Sequence, residues 1–277
     1  MNNKLFFIKT ISYTVLILGL ISMICPFVWM VLTSFMDEAH IFSYPPRISF
    51  SSLTEENYLT VAQQMPIVKY FWNSFFVASL TTLGQVLFAS MAGFAFAKLN
   101  FKFKEPIFLL VLLTMMVPPQ VNIIPLFYIM KELHWIDSFQ ALILPGLFGG
   151  FGIFLMRQWF KNIPEALLES AKIDGCNFIQ IFFKIALPVA LPAVATLAIF
   201  TFITTWNSFM WPLIVTNSDT IRTLPVAIAG FKGSFRETIE WGALMACAVI
   251  TTIPVIVIFL AGQKFFIKGM LSAAVKE

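Results

Sequence analysis

The chain has 277 residues, 59% of them hydrophobic and 12% charged, with a mean hydropathy of +0.86. That is too much apolar surface for a water-soluble domain to hide. Its net charge of +4 comes from Lys and Arg scattered over short connecting segments, not from a basic stripe, which argues against nucleic acid as a partner. Lipid is the natural solvent, and there a span of about 20 apolar residues satisfies its backbone as a helix. The expected fold class is therefore all-α, a polytopic membrane protein.

Six apolar runs follow in order, at about 11–32, 70–97, 106–130, 139–156, 187–215 and 242–263. The first is long enough to span and has no small-residue cleavage site after it, so it is expected to remain as the first transmembrane helix. No run has an Asp, Glu, Lys or Arg in its middle, which weakens the reading of a self-sufficient secondary transporter of a small polar solute. Twelve of the Lys and Arg residues fall on the side that holds both termini and six on the other. The positive-inside bias then places both termini in the cytoplasm. The three cysteines, Cys25, Cys176 and Cys247, have no paired spacing and read as small apolar fillers.

The first outer loop, 33–69, contains Thr54, Glu55 and Glu56 as a helix start and Pro66 as a stop, so a short helix or a plain loop is expected there. His40 and His134 have no second ligand at metal spacing, and no metal is expected. In the third run Pro118 and Pro119 break the helix ladder, a break tolerated only against protein or a water-filled cavity. Gln120 and Asn122 beside it either hydrogen-bond a polar solute or satisfy the carbonyls that the prolines free. In the fifth run Thr201, Thr204, Thr205 and Ser208 fall at i, i+3, i+4 and i+7 and share one helical face. Trp206, Asn207 and Trp211 follow them. That strip serves either helix packing, which favours Ser and Thr in membranes, or a sugar, which offers hydroxyl edges and C–H faces. The last outer loop, 217–240, carries Gly230, Phe231, Lys232, Gly233 and Ser234, either a mobile tip that probes another protein or a plain connector.

The loop 157–186 between runs four and five mixes both charge signs with helix punctuation. Asn162 and Glu165 resemble a capping box, Pro164 lies in the first turn and Gly175 ends the helix. Beyond it Phe178, Ile181, Phe182 and Ile185 share one face. Two short helices at a sharp angle are expected on the cytoplasmic side, with a surface shaped to fit a groove on a soluble partner. No G-x-x-x-x-G-K-[ST] phosphate loop is present, and no nucleophile, acid–base pair or metal cluster is visible, so no catalytic residue and no cofactor is expected.

Glu169, Ala171, Asp174, Gly175, Ile185, Leu187 and Pro188 fall in register with the loop E-A-A-x-x-D-G-A, then I-x-L-P, and the chain resembles the integral membrane (permease) subunit of a binding-protein-dependent ABC importer. Ser170 and Cys176 replace the usual alanines with other small residues. The segment Trp206 to Leu213, Leu224-Pro225, Gly230 to Gly233, Asn73-Ser74, Ala97 to Phe101 and the tail Lys268-Gly269 to Lys276 are similar to the sugar-transporting branch, like the second membrane component of the maltose-type system. The resemblance implies that residues 1–277 form one transmembrane domain with six transmembrane helices and a cytoplasmic coupling helix in a bacterial-type cell membrane. It implies four kinds of neighbour: a second related permease, two ATP-binding cassette ATPase subunits, an extracytoplasmic solute-binding protein and membrane lipid. Glu165, Glu169, Ser170, Ala171, Asp174, Gly175, Phe178 and Phe182 are then expected to couple to the ATPase. Asn122, Thr201, Thr204, Thr205, Asn207 and Ser208 are expected to line the pathway, and Gly230 to Ser234 to enter the binding protein.

Overall fold

The computed structural model describes residues 2–42, 53–234 and 240–274. In chain order the helices are α1 (Asn2–Ser34), α2 (Glu38–Ile41), α3 (Glu56–Gln64), α4 (Ile67–Lys98), α5 (Lys104–Met116), α6 (Ile123–Glu132), α7 (Phe139–Ile143) and α8 (Gly150–Lys161). They continue as α9 (Glu165–Ile173), α10 (Phe178–Ile181), α11 (Leu187–Val189), α12 (Leu191–Trp206), α13 (Met210–Val215), α14 (Leu224–Ser234) and α15 (Trp241–Ala274). Among the described residues the only extended pairing is an isolated bridge between Met36 and Leu53. The fold is all-α, as the run lengths require.

Four stretches are long and apolar enough to cross a membrane as they stand, 6–34, 67–98, 139–161 and 241–264, and two bent pairs raise the number of candidate spans to six. The third run is bent by 96° between Lys104–Met116 and Pro119–Glu132. The residue before a proline is pushed out of the α region, and here Val117 is extended and Pro118, at ψ 134°, is also non-helical before a 3₁₀ turn over Pro119–Asn122. The fifth run, 187–215, is not one helix. Its helix ends at Trp206 and restarts as α13 at Met210, and Phe178–Val189 meets Leu191–Trp206 at 79°. Pro188 and Pro192 each lack the N–H that would close the ladder four residues back. The chain enters Pro188 through a π turn over Phe182–Ala186.

The chain forms two compact units, one of residues 1–68 and 228–253, the other of residues 69–227 and 254–277. In the first, the short helix expected in the outer loop is α3, started where Thr54 Oγ1 accepts the Glu56 N–H at 3.1 Å. Asn57 Nδ2 donates to the carbonyls of Ser34 (3.0 Å) and Met36 (2.8 Å), and Tyr58 shares a 2.9 Å hydrogen bond with Ser34 Oγ. The bond from Asn57 to Ser34 occupies a carbonyl freed at the end of α1.

In the second unit the core gathers Ala89, Phe94, Met156, Phe160, Leu168, Ile181, Phe182, Ala193 and Leu197, from helices that lie far apart in sequence. Small residues bring α4 against α8: a Cβ built on Gly93 would lie 2.6 Å from Met156 Cβ. Apolar chains gain nothing by leaving lipid for one another, so such close backbone approach is what holds membrane helices together.

At the opposite end of α4, Asn73 Nδ2 donates to the carbonyls of Thr220 and Arg222, both at 3.0 Å. Ser74 Oγ accepts the Leu224 N–H at 2.7 Å, which caps α14. Its burial of Leu224, Val226 and Ala227 explains why the stretch expected as an open loop is helical. Nearby Asp137, at φ +61°, accepts the N–H groups of Asn217 (2.7 Å) and Ser218 (2.9 Å) on Oδ1. The Ser218 hydrogen bond, ahead of every other cause, holds its carboxyl below the ordinary value of 3.8. A depressed carboxyl stabilises above its ordinary value, and that support is lost as pH falls through the lower folded-state value. Amide exchange at Asn217 and Ser218 should therefore accelerate on acidification below about pH 4. Asp137→Asn, which keeps the acceptor and tolerates the left-handed backbone, should exchange independently of pH in that window once intrinsic rates are divided out. A steep acid dependence in that variant would assign the effect to another group.

Candidate functional site

Two places carry the residues singled out from the sequence. The first is the loop 157–186. Asn162 does not cap α9: α8 runs to Lys161, Asn162 is its C-cap, and its Nδ2 donates to the Gln158 carbonyl at 3.1 Å. Pro164 takes the N-cap position of α9 instead of its first turn. The reciprocal box forms at the start of the next helix, α10, where Asn177 Oδ1 accepts the Gln180 N–H and Gln180 Oε1 accepts the Asn177 N–H, both at 2.9 Å. The Asn-x-x-Gln spacing held that signal, and the Asn-x-x-Glu match upstream obscured it.

Gly175 ends α9 as expected, at φ +82°. The Cys176 N–H reaches the Ala171 carbonyl and the Gly175 N–H the Lys172 carbonyl, both at 3.0 Å. This is the paired closure that a left-handed residue allows. Below the helix, Lys98 Nζ donates to the Ile163 carbonyl at 2.6 Å and ties the loop to the end of α4.

Burial sorts the expected coupling residues. Ala171 and Phe182 are buried in the core, where Phe182 meets Phe94 and Phe160. They hold the loop in place and do not present themselves to a partner. Glu165, Glu169, Ser170, Asp174, Gly175 and Phe178 are exposed. Glu165, Glu169 and Ile173 recur at i, i+4 and i+8 on one outward face, and Ile173 is 86% exposed. Sequence reading missed Ile173, although an isoleucine off the Leu168 and Ala171 face of an amphipathic helix was a legible signal.

The second place is a cavity of about 520 Å³ lined by Thr81, Gln120, Asn122, Thr204, Thr205 and Ser208 with Pro119, Pro145, Gly146, Phe209 and Trp211 among its apolar partners. The proline break in the third run thus opens onto a cavity, as a break at membrane depth requires. Of the expected pathway residues, Asn122, Thr204, Thr205 and Ser208 meet there. Thr201 is buried away from it, and Asn207 serves as the exposed C-cap of α12. Trp206 is no platform for a solute. It is 1% exposed, stacked on Phe202 at 5.8 Å and edge-on to Phe71 at 5.4 Å. Trp211 does face the cavity, and its Nε1–H donates to the Ala141 carbonyl at 2.9 Å. Thr81 and Gly146 were not singled out from the sequence, because nothing one-dimensional links α4 to the turn after α7.

Gly230 is exposed near the end of α14, which runs to Ser234. The side chains of Phe231, Lys232 and Ser234, and the surroundings of Gly233, lie outside what is described. Among the described residues no cluster of three His, Cys, Asp or Glu side chains is placed to hold a metal ion.

The family described as binding-protein-dependent transport system inner membrane component matches residues 85–272. The chain is 32% identical over 254 residues to the arabinooligosaccharides transport system permease protein AraQ of Halalkalibacterium halodurans, covering 91% of this chain and 90% of that protein. It is 35% identical to the trehalose/maltose transport system permease protein MalG of Thermococcus litoralis, over 97% of this chain and 98% of that one. Among solved structures, a chain of a bacterial ABC transporter involved in the import of the acidic polysaccharide alginate superposes with a TM-score of 0.83 at 21% identity, covering 95% of this chain and 98% of that chain.

Proposed function

The chain belongs to the family of binding-protein-dependent transport system inner membrane components, and from that premise we propose that it is the permease subunit of an ATP-driven ABC importer for a sugar or related polyol. Residues 1–277 act as one multi-pass transmembrane domain, with both termini on the cytoplasmic side. A second, related permease completes the translocation pathway, two ATP-binding cassette subunits supply the hydrolysis, and an extracytoplasmic solute-binding protein delivers the solute. Permease proteins of an arabinooligosaccharide and a trehalose/maltose transport system, matched over nearly their whole length, support the substrate class. The polar cavity, with Asn122, Thr204, Thr205 and Ser208 on its wall, supports a pathway through this subunit.

The observation that carries the coupling role is the outward face of α9. Glu169 is exposed and makes no hydrogen bond or ion pair with the described residues, while the helix beneath it is fixed by the closure at Gly175 and the bond from Lys98. A rigid helix presenting an unspent carboxylate and an exposed Ile173 suits a groove that offers a cation and an apolar floor. ATP shifts the permease between inward- and outward-facing states only insofar as the docked ATPase binds α9 differently in each. The π turn and the bend at Ala190 lie between α9 and the pathway helix α12, where a tilt of the loop is passed on.

Glu169→Ala should lower ATP-driven uptake in proteoliposomes by about tenfold, the worth of one charge-assisted hydrogen bond, while the permease pair still assembles. Uptake at the parent rate, with the ATPase still bound, would remove Glu169 from the coupling interface.

A further inference from the structure

Where the loop 157–186 meets the end of α4 (Ile67–Lys98) there is a second groove, of about 340 Å³. It is lined by Met91, Phe94 and Leu99 from α4 and the residue after it, and by Phe178, Phe182 and Phe183 from α10 and the π turn; every described residue on its wall is apolar. Phe94 and Phe182 are 5% and 4% exposed and make the floor, while Met91, Phe178 and Phe183 are 47%, 53% and 47% exposed at its mouth, so a ligand can enter. Lys98 closes the candidate span 67–98, and Phe178 opens the bent pair Phe178–Val189 and Leu191–Trp206. The groove therefore lies where two candidate spans end together, at the level where hydrocarbon gives way to lipid headgroups.

Two ammonium groups are fixed at that level against residues of the wall. Lys104 Nζ donates to the Leu99 carbonyl at 2.9 Å, and Lys172 Nζ lies 5.3 Å from the centre of the Phe178 ring. An ammonium has three donors, so neither contact exhausts it. Lys98 and Lys102 add charge to the same short segment, while the carboxylate next to it, that of Glu105, is taken by Arg157 at 2.8 and 3.0 Å. Lysines clustered directly beyond a membrane helix attract the anionic lipids of the cytoplasmic leaflet. A protein occupant would have to bring apolar surface at hydrocarbon depth and acidic groups just outside it. A phospholipid carries both, an acyl chain for the wall and a phosphate for the ammonium groups, and a zwitterionic one sets its own cation against the lysines. We propose that the groove seats one acyl chain of an anionic phospholipid, with the headgroup phosphate held by Lys104 and Lys172. Seated there, the chain packs on α4 and on the coupling loop at once and ties the two together. The inference rests on the reading that places this loop on the cytoplasmic side of a permease.

The test is photo-cross-linking in the permease–ATPase complex, reconstituted in phosphatidylcholine vesicles with a minor, subsaturating fraction of phosphatidylglycerol that carries a diazirine in one acyl chain. Cross-linked peptides, located by mass spectrometry, should include 91–99 and 178–183. Unlabelled phosphatidylglycerol should compete at these two segments; inorganic phosphate and further phosphatidylcholine should not. Lys104→Gln combined with Lys172→Gln should lower the competable yield there roughly twentyfold, at about fivefold for each charge removed. Lys172→Gln alone, at an exposed position, should lower it about fivefold and keeps the test decisive if the double variant does not fold. Ala95→Leu, which narrows the groove and leaves both lysines, should lower it as well. Unchanged yield in the lysine variants, equal competition by phosphatidylcholine, or displacement by inorganic phosphate would each overturn the lipid site. So would a lack of cross-links at both segments in the complex, which would give the groove to a protein partner. The topology fails on a different result: labelling of Lys102 by a membrane-impermeant amine reagent added outside right-side-out membrane vesicles.

Discussion

Leucine in place of Gly93 should prevent α4 from closing on α8 and leave no stably folded permease to extract. A Cβ at this position would lie 2.6 Å from Met156 Cβ, 2.8 Å from the backbone nitrogen of Arg157 and 3.0 Å from the Met156 carbonyl carbon. Two of those atoms are backbone and cannot rotate aside, so α4 and α8 must separate. Overpacking a core costs about 1–3 kcal/mol when side chains can yield. Here alanine is expected at the top of that range and leucine beyond it, against a total stability of about 5–15 kcal/mol. Separation also opens the contacts of Ala89, Phe94, Met156 and Phe160, and dispersion between close-packed helices is most of what favours association in lipid. Size-exclusion chromatography of the detergent-extracted chain should show aggregate for Gly93→Leu, a lowered Tm for Gly93→Ala, and parent behaviour for Gly19→Leu, where a built Cβ meets nothing within 4 Å. A Gly93→Leu protein that elutes and melts like the parent would contradict the helix contact.

Arg157 is expected to be the next most sensitive position. It is 5% exposed, yet its Nη2 donates to both oxygens of Glu105 at 2.8 and 3.0 Å, its Nε donates to the Phe96 carbonyl at 3.3 Å, and its guanidinium carbon lies 3.8 Å from the centre of the Phe108 ring. One side chain thus joins α4, α5 and α8. The Glu105 side chain is 67% exposed, so the pair is partly screened and Arg157→Met strands no buried charge. Its cost is the lost stacking and the lost charge-assisted bonds, about 2–3 kcal/mol together. Glu105→Gln leaves the guanidinium its carbonyl and its ring and should cost less, about 1 kcal/mol. Lysine at position 157 cannot reproduce the planar fork or the stacking and should resemble methionine. Thermal unfolding in detergent should rank parent, Glu105→Gln, then Arg157→Met in falling Tm. Equal losses in the two variants would reduce Arg157 to one half of an ion pair.

Much of the loop 157–186 was legible because its signals are local. Gly175 ends α9 in the left-handed region that an L side chain resists, and the turn needs no distant partner. Asn162 was misread for a reason that is also physical: two helix ends compete for the same asparagine, and which one takes it depends on how far α8 runs. That length is set by burial of Met156, Phe160 and Ile163 in the core, which a capping pattern does not contain. The hydroxyl strip failed in the same way. Thr201, Thr204, Thr205 and Ser208 lie on one face only if the helix continues to Ser208, and it stops at Trp206. Three of the four expected neighbours still reach the cavity, Ser208 from the short segment that follows the helix.

By itself the sequence determined that the chain is a set of membrane helices, where the spans lie, where prolines break them and which loop carries a helix with a glycine stop. Each of these depends on run length, backbone donors or φ at a single residue, and all are properties of a line. Only the tertiary structure decided that Thr81 and Gly146 meet Gln120, Asn122 and Thr205 around one cavity, that Trp206 is core while Trp211 is wall, and that Glu169 and Ile173 are left outside. Neighbours across helices are selected by crossing angle and by how closely two backbones approach. Those are set by small residues such as Gly93, whose role is visible only once the facing helix is in place.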